Sequence, residues 1–266
     1  MKNVVITGSA RGFGYAMAEC FAKEGLNVVL SDINQVQLEE SRKKLQEKYP
    51  DVKILAFPVD VTNVETIKSL INNTIQQLQT IDYWINNAGV NQPNKQIWAL
   101  EDKDINRLID IDLKGTILCS KEIMKVMIGQ KSGQIYNVEG YGSDNATMLG
   151  LSIYGTSKRA VTYFTEALAT ENDTLNTGIQ IGKITPGIMI TNFITTSLGD
   201  GEKIELDEKT KKVYNILGDY PETIAEFTVP RILKNKSNYA KIMWLTPFRA
   251  AIRFITSPFN KRDFFR

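Results

Sequence analysis

VVITGSARGFG, residues 4–14, decides the fold. Val4–Thr7 is a short β-branched run that suits a buried strand. It ends in a turn carrying Gly8, Gly12 and Gly14, and Tyr15–Lys23 follows at helical spacing. Glycine lets the backbone turn at positive φ and lets an anion approach without a Cβ in the way. The next helix then presents its free N–H groups and positive dipole end to that anion. A glycine-rich turn between a first strand and a helix reads as a dinucleotide phosphate loop. The candidate cofactor residues of this loop are Gly8, Ser9, Arg11, Gly12, Phe13 and Gly14.

The same alternation runs outward along the chain. NVVLSD (27–32), VKILAF (52–57), IDYWIN (81–86), QIYNVE (134–139), IQIGKI (179–184) and AKIMWL (240–245) read as further strands. Helical patterns lie between them at 35–48, 64–78, about 104–129, 153–172 and 221–233. Strands alternating with helices imply βαβ units, right-handed crossovers and a parallel sheet. The expected fold is α/β: one Rossmann-like, doubly wound domain over residues 1–246, with helices on both faces of the sheet. A substrate lid is expected as an insertion at about 192–220, and 247–266 as a basic, aromatic C-terminal tail.

Composition narrows the chemistry. The chain has 266 residues, 42% hydrophobic, and a net charge of +2, which excludes the strong basic excess of a nucleic-acid binder. It contains no histidine, so Ser-His-Asp and Cys-His catalysis and HExxH zinc sites are excluded, and no metal site is expected. Its two cysteines, Cys20 and Cys119, cannot build a disulfide framework and fit a reducing, cytoplasmic setting as core residues. The start of the chain reads as neither signal peptide nor transit peptide, and no stretch approaches the ~20 apolar residues of a membrane span.

Asp32 ends the second strand, with Ile33 beside it, about twenty residues beyond the glycine loop. A carboxylate there accepts hydrogen bonds from ribose hydroxyls and repels a 2′-phosphate, so NAD(H) is favoured. Arg11 suits that phosphate and keeps NADP(H) open. A helix N-cap is the alternative role for Asp32.

Tyr154 and Lys158 are four apart on a predicted helix and share one face. A phenol of pKa ~10 becomes a proton carrier near pH 7 only if its phenolate is stabilised by roughly 4 kcal/mol. A neighbouring ammonium is the natural device for that.

Taken together, TGSARGFG (7–14), DVT (60–62), NNAG (86–89), YGTSK (154–158) and PGIMIT (186–191) resemble the short-chain dehydrogenase/reductase superfamily in order and spacing. The resemblance implies an NAD(P)-dependent oxidoreductase in which Tyr154 and Lys158 act on the substrate and hold the nicotinamide ribose. It implies that Asp60 and Val61 flank the adenine and that Asn87, Ala88 and Gly89 border the cofactor. It also implies that Pro186, Gly187, Ile188 and Thr191 hold the nicotinamide amide.

Two positions depart from the family pattern. Gly140 stands where a carbonyl-polarising serine is usual, leaving Ser143 as the candidate hydroxyl, and Asp112 stands where asparagine is usual. The segment NVEGYGS (137–143) and the C-terminal third resemble the chlorophyll(ide) b reductase-like subfamily, which reduces a ring formyl group. Subfamily likeness does not fix the substrate. The expected substrate is a bulky, apolar, polycyclic carbonyl or alcohol such as a hydroxysteroid, with formyl reduction as one alternative. A non-catalytic dinucleotide-sensing protein is the other, supported by the two departures.

From Arg231 to the end there are nine Lys/Arg against one acid, interleaved with Phe248, Phe254, Phe259, Phe264 and Phe265. Such a tail suits peripheral contact with a membrane, a neighbouring subunit, or packing on its own core. A homo-oligomer, dimer or tetramer, is what the family resemblance implies.

Overall fold

The computed structural model describes residues 1–191, 206–259 and 262–265. Its first half runs β1 (Asn3–Thr7), α1 (Gly12–Lys23), β2 (Asn27–Asp32), α2 (Gln35–Lys48), β3 (Ile54–Pro58), α3 (Val64–Leu78) and β4 (Tyr83–Asn86). A long helical rod follows, made of α4 (Asp102–Leu108), a π-helical segment (Ile109–Gly115) and α5 (Thr116–Gln130). The second half runs β5 (Gln134–Val138), α6 (Ser152–Thr174), β6 (Gln180–Thr185), α7 (Glu208–Leu217), α8 (Pro221–Lys234), β7 (Ala240–Met243) and α9 (Pro247–Thr256).

The seven strands form one parallel sheet in the order β3-β2-β1-β4-β5-β6-β7. Every residue of β1 is buried, as a central parallel strand covered on both faces must be. The pleat divides its side chains between two cores. Val4 and Ile6 pack with Phe13, Met17, Leu38 and Ile224, from α1, α2 and α8. Val5 packs on the other face with Ile67, Leu70, Cys119 and Ile123, from α3 and α5. The doubly wound expectation holds.

Polar side chains set the strand starts. Asn3 donates from its backbone N–H to Asp82 at 2.8 Å, and Asn27 donates from its side chain to Asn3 at 2.9 Å. Asn34 and Asn63 cap α2 and α3 by accepting the N–H groups of Gln37 and Glu65. Asp32 is therefore not the cap of α2; it accepts the N–H of Asn34 at 3.0 Å one step earlier.

The order of the strands reverses between β1 and β4, and ligands of such sheets bind beyond the C-terminal strand ends at that switch point. The expected single helix at 104–129 is instead interrupted by the π-helical turn, a feature that concentrates at functional sites. Of the expected lid at 192–220, residues 192–205 lie outside the described residues, and α7 forms the remainder. The tail is not a loose end: α9 and residues 262–265 fold back onto α7. Among the described residues, no helix is long and apolar enough to cross a membrane.

Candidate active site

The glycine loop sits at the switch point against the end of β4. Asn87 donates its side-chain amide to the carbonyls of Thr7 (3.0 Å) and Gly8 (2.9 Å). Thr7 Oγ1 accepts the backbone N–H groups of Asn87 and Ala88, both at 3.0 Å. The two backbones are so close that a Cβ on Gly8 would lie 2.7 Å from Ala88 Cα, and one on Gly14 would lie 2.6 Å from the Asn87 amide. Gly12, at φ 60°, has open space where its Cβ would be. Gly8 and Gly14 thus serve the packing of the loop, while Gly12 keeps the face at the start of α1 bare, as a pyrophosphate needs.

The other loop residues separate by role. Ser9 is fully buried, donating its hydroxyl to Ile6 O at 2.8 Å and accepting Ser31 N–H at 3.0 Å, so its side chain ties β1 to β2. Phe13 belongs to the core, so only its backbone is available to a ligand of the loop. Arg11 is exposed at the N-cap of α1. Asp32 accepts Ala10 N–H at 3.2 Å and so fixes its carboxylate beside the loop, with exposed Ile33 next to it. Asp60 accepts from the Thr62 N–H and hydroxyl at 2.9 and 2.8 Å, and Val61 is buried against Gly115. An open glycine at a helix start, with a fixed carboxylate at the next strand end, fits a nicotinamide dinucleotide.

Tyr154 and Lys158 lie in the first turns of α6, both buried. Gln92 holds that helix start by accepting the N–H groups of Ile153 (2.9 Å) and Tyr154 (2.8 Å), and it donates to Gly150 O. Lys158 Nζ lies 3.0 Å from Asp112 Oδ2 and 5.6 Å from the centre of the Tyr154 ring. Asp112 is fully enclosed, and its other oxygen accepts Val90 N–H at 2.7 Å. Its backbone carbonyl accepts the Thr116 hydroxyl at 2.8 Å within the π-helical turn. Gly89 brings the cofactor-side backbone next to this pair, since a Cβ there would lie 3.2 Å from Asp112 Oδ2 and 3.4 Å from Lys158 Nζ.

The charge pair corrects a simple expectation about the tyrosine. Burial pushes the Tyr154 phenol above its ordinary range; Lys158 pulls it down, and Asp112 and then Tyr214 push it up again. The lone-ammonium picture omits that opposing carboxylate. Burial works to discharge Lys158, but Asp112 and Tyr154 outweigh it and hold the ammonium above the usual lysine range. Burial drives the Asp112 carboxyl up, against the pull of Lys158 and of Val90 N–H.

Gly140, at the usual serine position, is where Tyr154 packs. A Cβ on Gly140 would overlap Tyr154 Oη, 3.0 Å from Tyr154 Cζ and 3.1 Å from Lys158 Cγ. Ser143 is buried nearby in sequence, its carbonyl accepting Arg159 Nη1 at 2.9 Å. Its hydroxyl makes no hydrogen bond among the described residues. Pro186 is buried, Gly187 adopts φ 75°, and Met189 pairs with Asp219 across a short parallel bridge whose hydrogen bonds run through Ile188 O and Ile190 N–H. The structure thus packs Tyr154 and Lys158 against Gly140, pairs Lys158 with Asp112 beside Gly89, and sets Asn87 and Ala88 against the glycine loop.

Three residues escaped sequence reading. Gln92 caps α6 from sixty residues away. Glu139 accepts the hydroxyls of Thr162 (2.7 Å) and Thr185 (2.6 Å) and faces Lys183 at 3.4 Å, a second buried charge pair behind Lys158. Asp219 links the 188–190 segment to the tail. Only the unusual Glu139 within NVEGYGS stood out locally; the others acquire meaning through contacts distant in sequence. Burial pushes the thiols of Cys20 and Cys119 up to about 11 and about 12, so both are core residues rather than nucleophiles. Among the described residues no cluster suited to a metal occurs.

The family model for short chain dehydrogenase matches residues 2–201. The chain is 31% identical, over 96% of its length, to a protein of Arabidopsis thaliana named as a probable chloroplastic chlorophyll(ide) b reductase, covering 53% of that protein. It is 34% identical over 79% of its length to an uncharacterised oxidoreductase of Bacillus subtilis, covering 75% of it. The chain spans about half the length of the first of these relatives. The crystal structure of levodione reductase superposes with a TM-score of 0.83 at 25% identity, over 94% of this chain and 98% of that one. With a glycine loop at the switch point and a buried Tyr-Lys pair at the start of α6, the chain belongs to the short-chain dehydrogenase family.

Proposed function

We propose that this enzyme interconverts a carbonyl and an alcohol on a bulky, apolar, polycyclic substrate of the hydroxysteroid kind, with NAD(H) as the preferred cofactor. The observation that carries the reading is the buried Tyr154–Lys158–Asp112 group packed against Gly140. Tyr154 gives its phenolic proton to the substrate oxygen in reduction and takes it back in oxidation. Lys158 stabilises the phenolate form, and Asp112 holds the Lys158 ammonium in place. Ser143 is the proposed hydrogen-bond donor to the substrate oxygen. When bound, the dinucleotide supplies or accepts the hydride. Asp32 beside the loop supports NAD(H), with NADP(H) as the competing ligand of Arg11.

The apolar substrate is supported by the loops that border the site. Gln92 bonds Gly150, so the segment bearing Ile97 and Trp98 is pinned to the one bearing Met148 and Leu149. Trp98 is 84% exposed and Leu149 77%, apolar side chains open to solvent on these two loops. The helix α9 adds an outward stripe of Phe248, Ile252 and Ile255, with exposed Phe259 just beyond its end. Peripheral membrane contact through that stripe, a homo-oligomeric assembly and a cytoplasmic setting are parts of the same proposal.

Formyl reduction on a chlorophyll-like ring is a second reading, favoured by the 31% identity to the Arabidopsis protein. Dinucleotide consumption with NADH and NADPH, against keto-steroids and chlorophyllide b, separates the two. Steroid turnover supports the first reading, and turnover of the pigment alone replaces it by the second. Tyr154→Phe is expected to abolish turnover while leaving dinucleotide affinity intact. Unchanged rates would sink the mechanism. Cofactor binding without turnover on a broad panel would favour a sensor.

A further inference from the structure

Asp219 is 5% exposed and stands just before α8, far in sequence from the Tyr-Lys pair. Its backbone reaches the segment after β6: Asp219 N–H donates to Ile188 O at 3.0 Å, and Ile190 N–H donates to Asp219 O at 2.9 Å. Its carboxylate gathers three donors from the last part of the chain. Trp244 Nε1 and Arg253 Nη1 each reach Oδ2 at 2.6 Å, and Arg262 Nη2 reaches Oδ1 at 2.7 Å.

The same arginines cap α7, the described part of the expected insertion at 192–220. Arg253 donates to Leu217 O at 2.9 Å, and Arg262 donates to Gly218 O at 2.5 Å. Phe264 then packs edge-on against Tyr220, with ring centres 5.1 Å apart. The helix α9 is thus turned inside out: Arg249 and Arg253 point to the protein, while Phe248, Ile252 and Ile255 face outward.

A carboxylate holding three donors, two of them charged, cannot rotate or shift without breaking charge-assisted bonds. Its backbone is therefore fixed, and so is the 188–190 segment paired to it. On the other side, Gly187 is pressed against Leu245, which follows Trp244 directly. Leu245 and Asp219 therefore flank the 187–190 segment, and the tail arginines hold Asp219 in its place.

We propose that Asp219 is a positioning residue for the nicotinamide end of the site, locked by Arg253 and Arg262, so that the C-terminal tail sets how tightly nicotinamide is held. This rests on the reading that Pro186–Thr191 holds the nicotinamide amide. The adenosine and pyrophosphate end, formed by the glycine loop and Asp32, touches none of these groups in the contacts described above. Loosening the clamp therefore weakens one half of the dinucleotide and spares the other.

The test compares NADH with ADP-ribose, which lacks the nicotinamide, by calorimetric titration of the full-length chain. Asp219→Asn is expected to raise the NADH Kd about tenfold, the order of a lost charge-assisted hydrogen bond, with ADP-ribose within twofold. Arg262→Ala, on the partly exposed tail, guards against a misfolded Asp219 variant and is expected to shift NADH alone in the same direction. Arg262→Lys is expected to fall between it and the unaltered protein. Equal shifts for both ligands would reveal a merely structural role, and no shift for either would overturn the clamp. Failure of the unaltered chain to bind either ligand would instead overturn the cofactor reading beneath it.

Discussion

Gly140→Ser restores the residue usual in this family at that position, and the structure predicts that it damages the enzyme. A Cβ at 140 would overlap Tyr154 Oη, 3.0 Å from Tyr154 Cζ and 3.1 Å from Lys158 Cγ. Carbon atoms settle at about 3.5–4.0 Å, so the ring must retreat by at least half an ångström at Cζ and by roughly 1 Å at its hydroxyl. The ring has little room to retreat into, because Tyr154 and Lys158 are both buried and the helix start is pinned by Gln92. A misplacement of ~1 Å at a reacting group costs on the order of a hundredfold in rate, equivalent to about 2.7 kcal/mol of barrier. The overpacked site should also lose about 1–3 kcal/mol of stability. The assay is kcat/KM for dinucleotide-dependent turnover of the best substrate on the carbonyl panel, with thermal unfolding alongside. Gly140→Ala separates the added carbon from the added hydroxyl and should be equally damaging. A serine variant as active as the unaltered enzyme, or more so, would show that Gly140 is a lost catalytic position rather than the seat of Tyr154.

Three further substitutions test the other assignments. Asp112→Asn keeps an acceptor for Val90 N–H but removes the charge that raises the Tyr154 pKa. Alcohol oxidation quickens as Tyr154 ionises, so lowering that pKa should move the rising limb of its pH profile to lower pH; a limb that stays put or moves upward contradicts the assigned electrostatics. Ser143→Ala should lower kcat about a hundredfold if the hydroxyl meets the substrate oxygen, whereas a neutral result makes it a turn residue only. Asp32→Ala should reduce the preference for NADH over NADPH, read as the ratio of kcat/KM values, by about tenfold. An unchanged ratio would assign the choice to Arg11.

The apolar rim and the tail bear on what this enzyme is built to meet. Most exposed aromatic and branched residues near the site belong to the β4–α4 and β5–α6 connections and to α9. Those segments follow strand ends at the C-terminal edge of the sheet, where the family's cofactor and substrate enter. The chain thus leaves apolar side chains exposed on these segments and keeps Arg253 and Arg262 for internal bonds to Asp219 and the end of α7.

The sequence alone determined the βαβ alternation, the parallel sheet, the glycine-rich turn between β1 and α1, and the Tyr154–Lys158 pair on one helix. Each is a local pattern: a run of branched residues, glycines at a strand-to-helix turn, or two side chains one helical turn apart. It also exposed the departures at Gly140 and Asp112, although not their consequence. That Asp112 opposes Lys158 at 3.0 Å depends on a π-helical turn that no residue spacing announced. That Gly140 receives the Tyr154 hydroxyl depends on how α6 docks on β5. Gln92, Glu139 and Asp219 are ordinary polar residues in sequence, and they became positioning groups only where folding placed partners beside them from distant parts of the chain. Periodicity records what a segment does with its own neighbours. Hydrogen bonds and charge pairs between segments are chosen by the packed fold, because only burial makes an unpaired polar group costly enough to demand a particular partner.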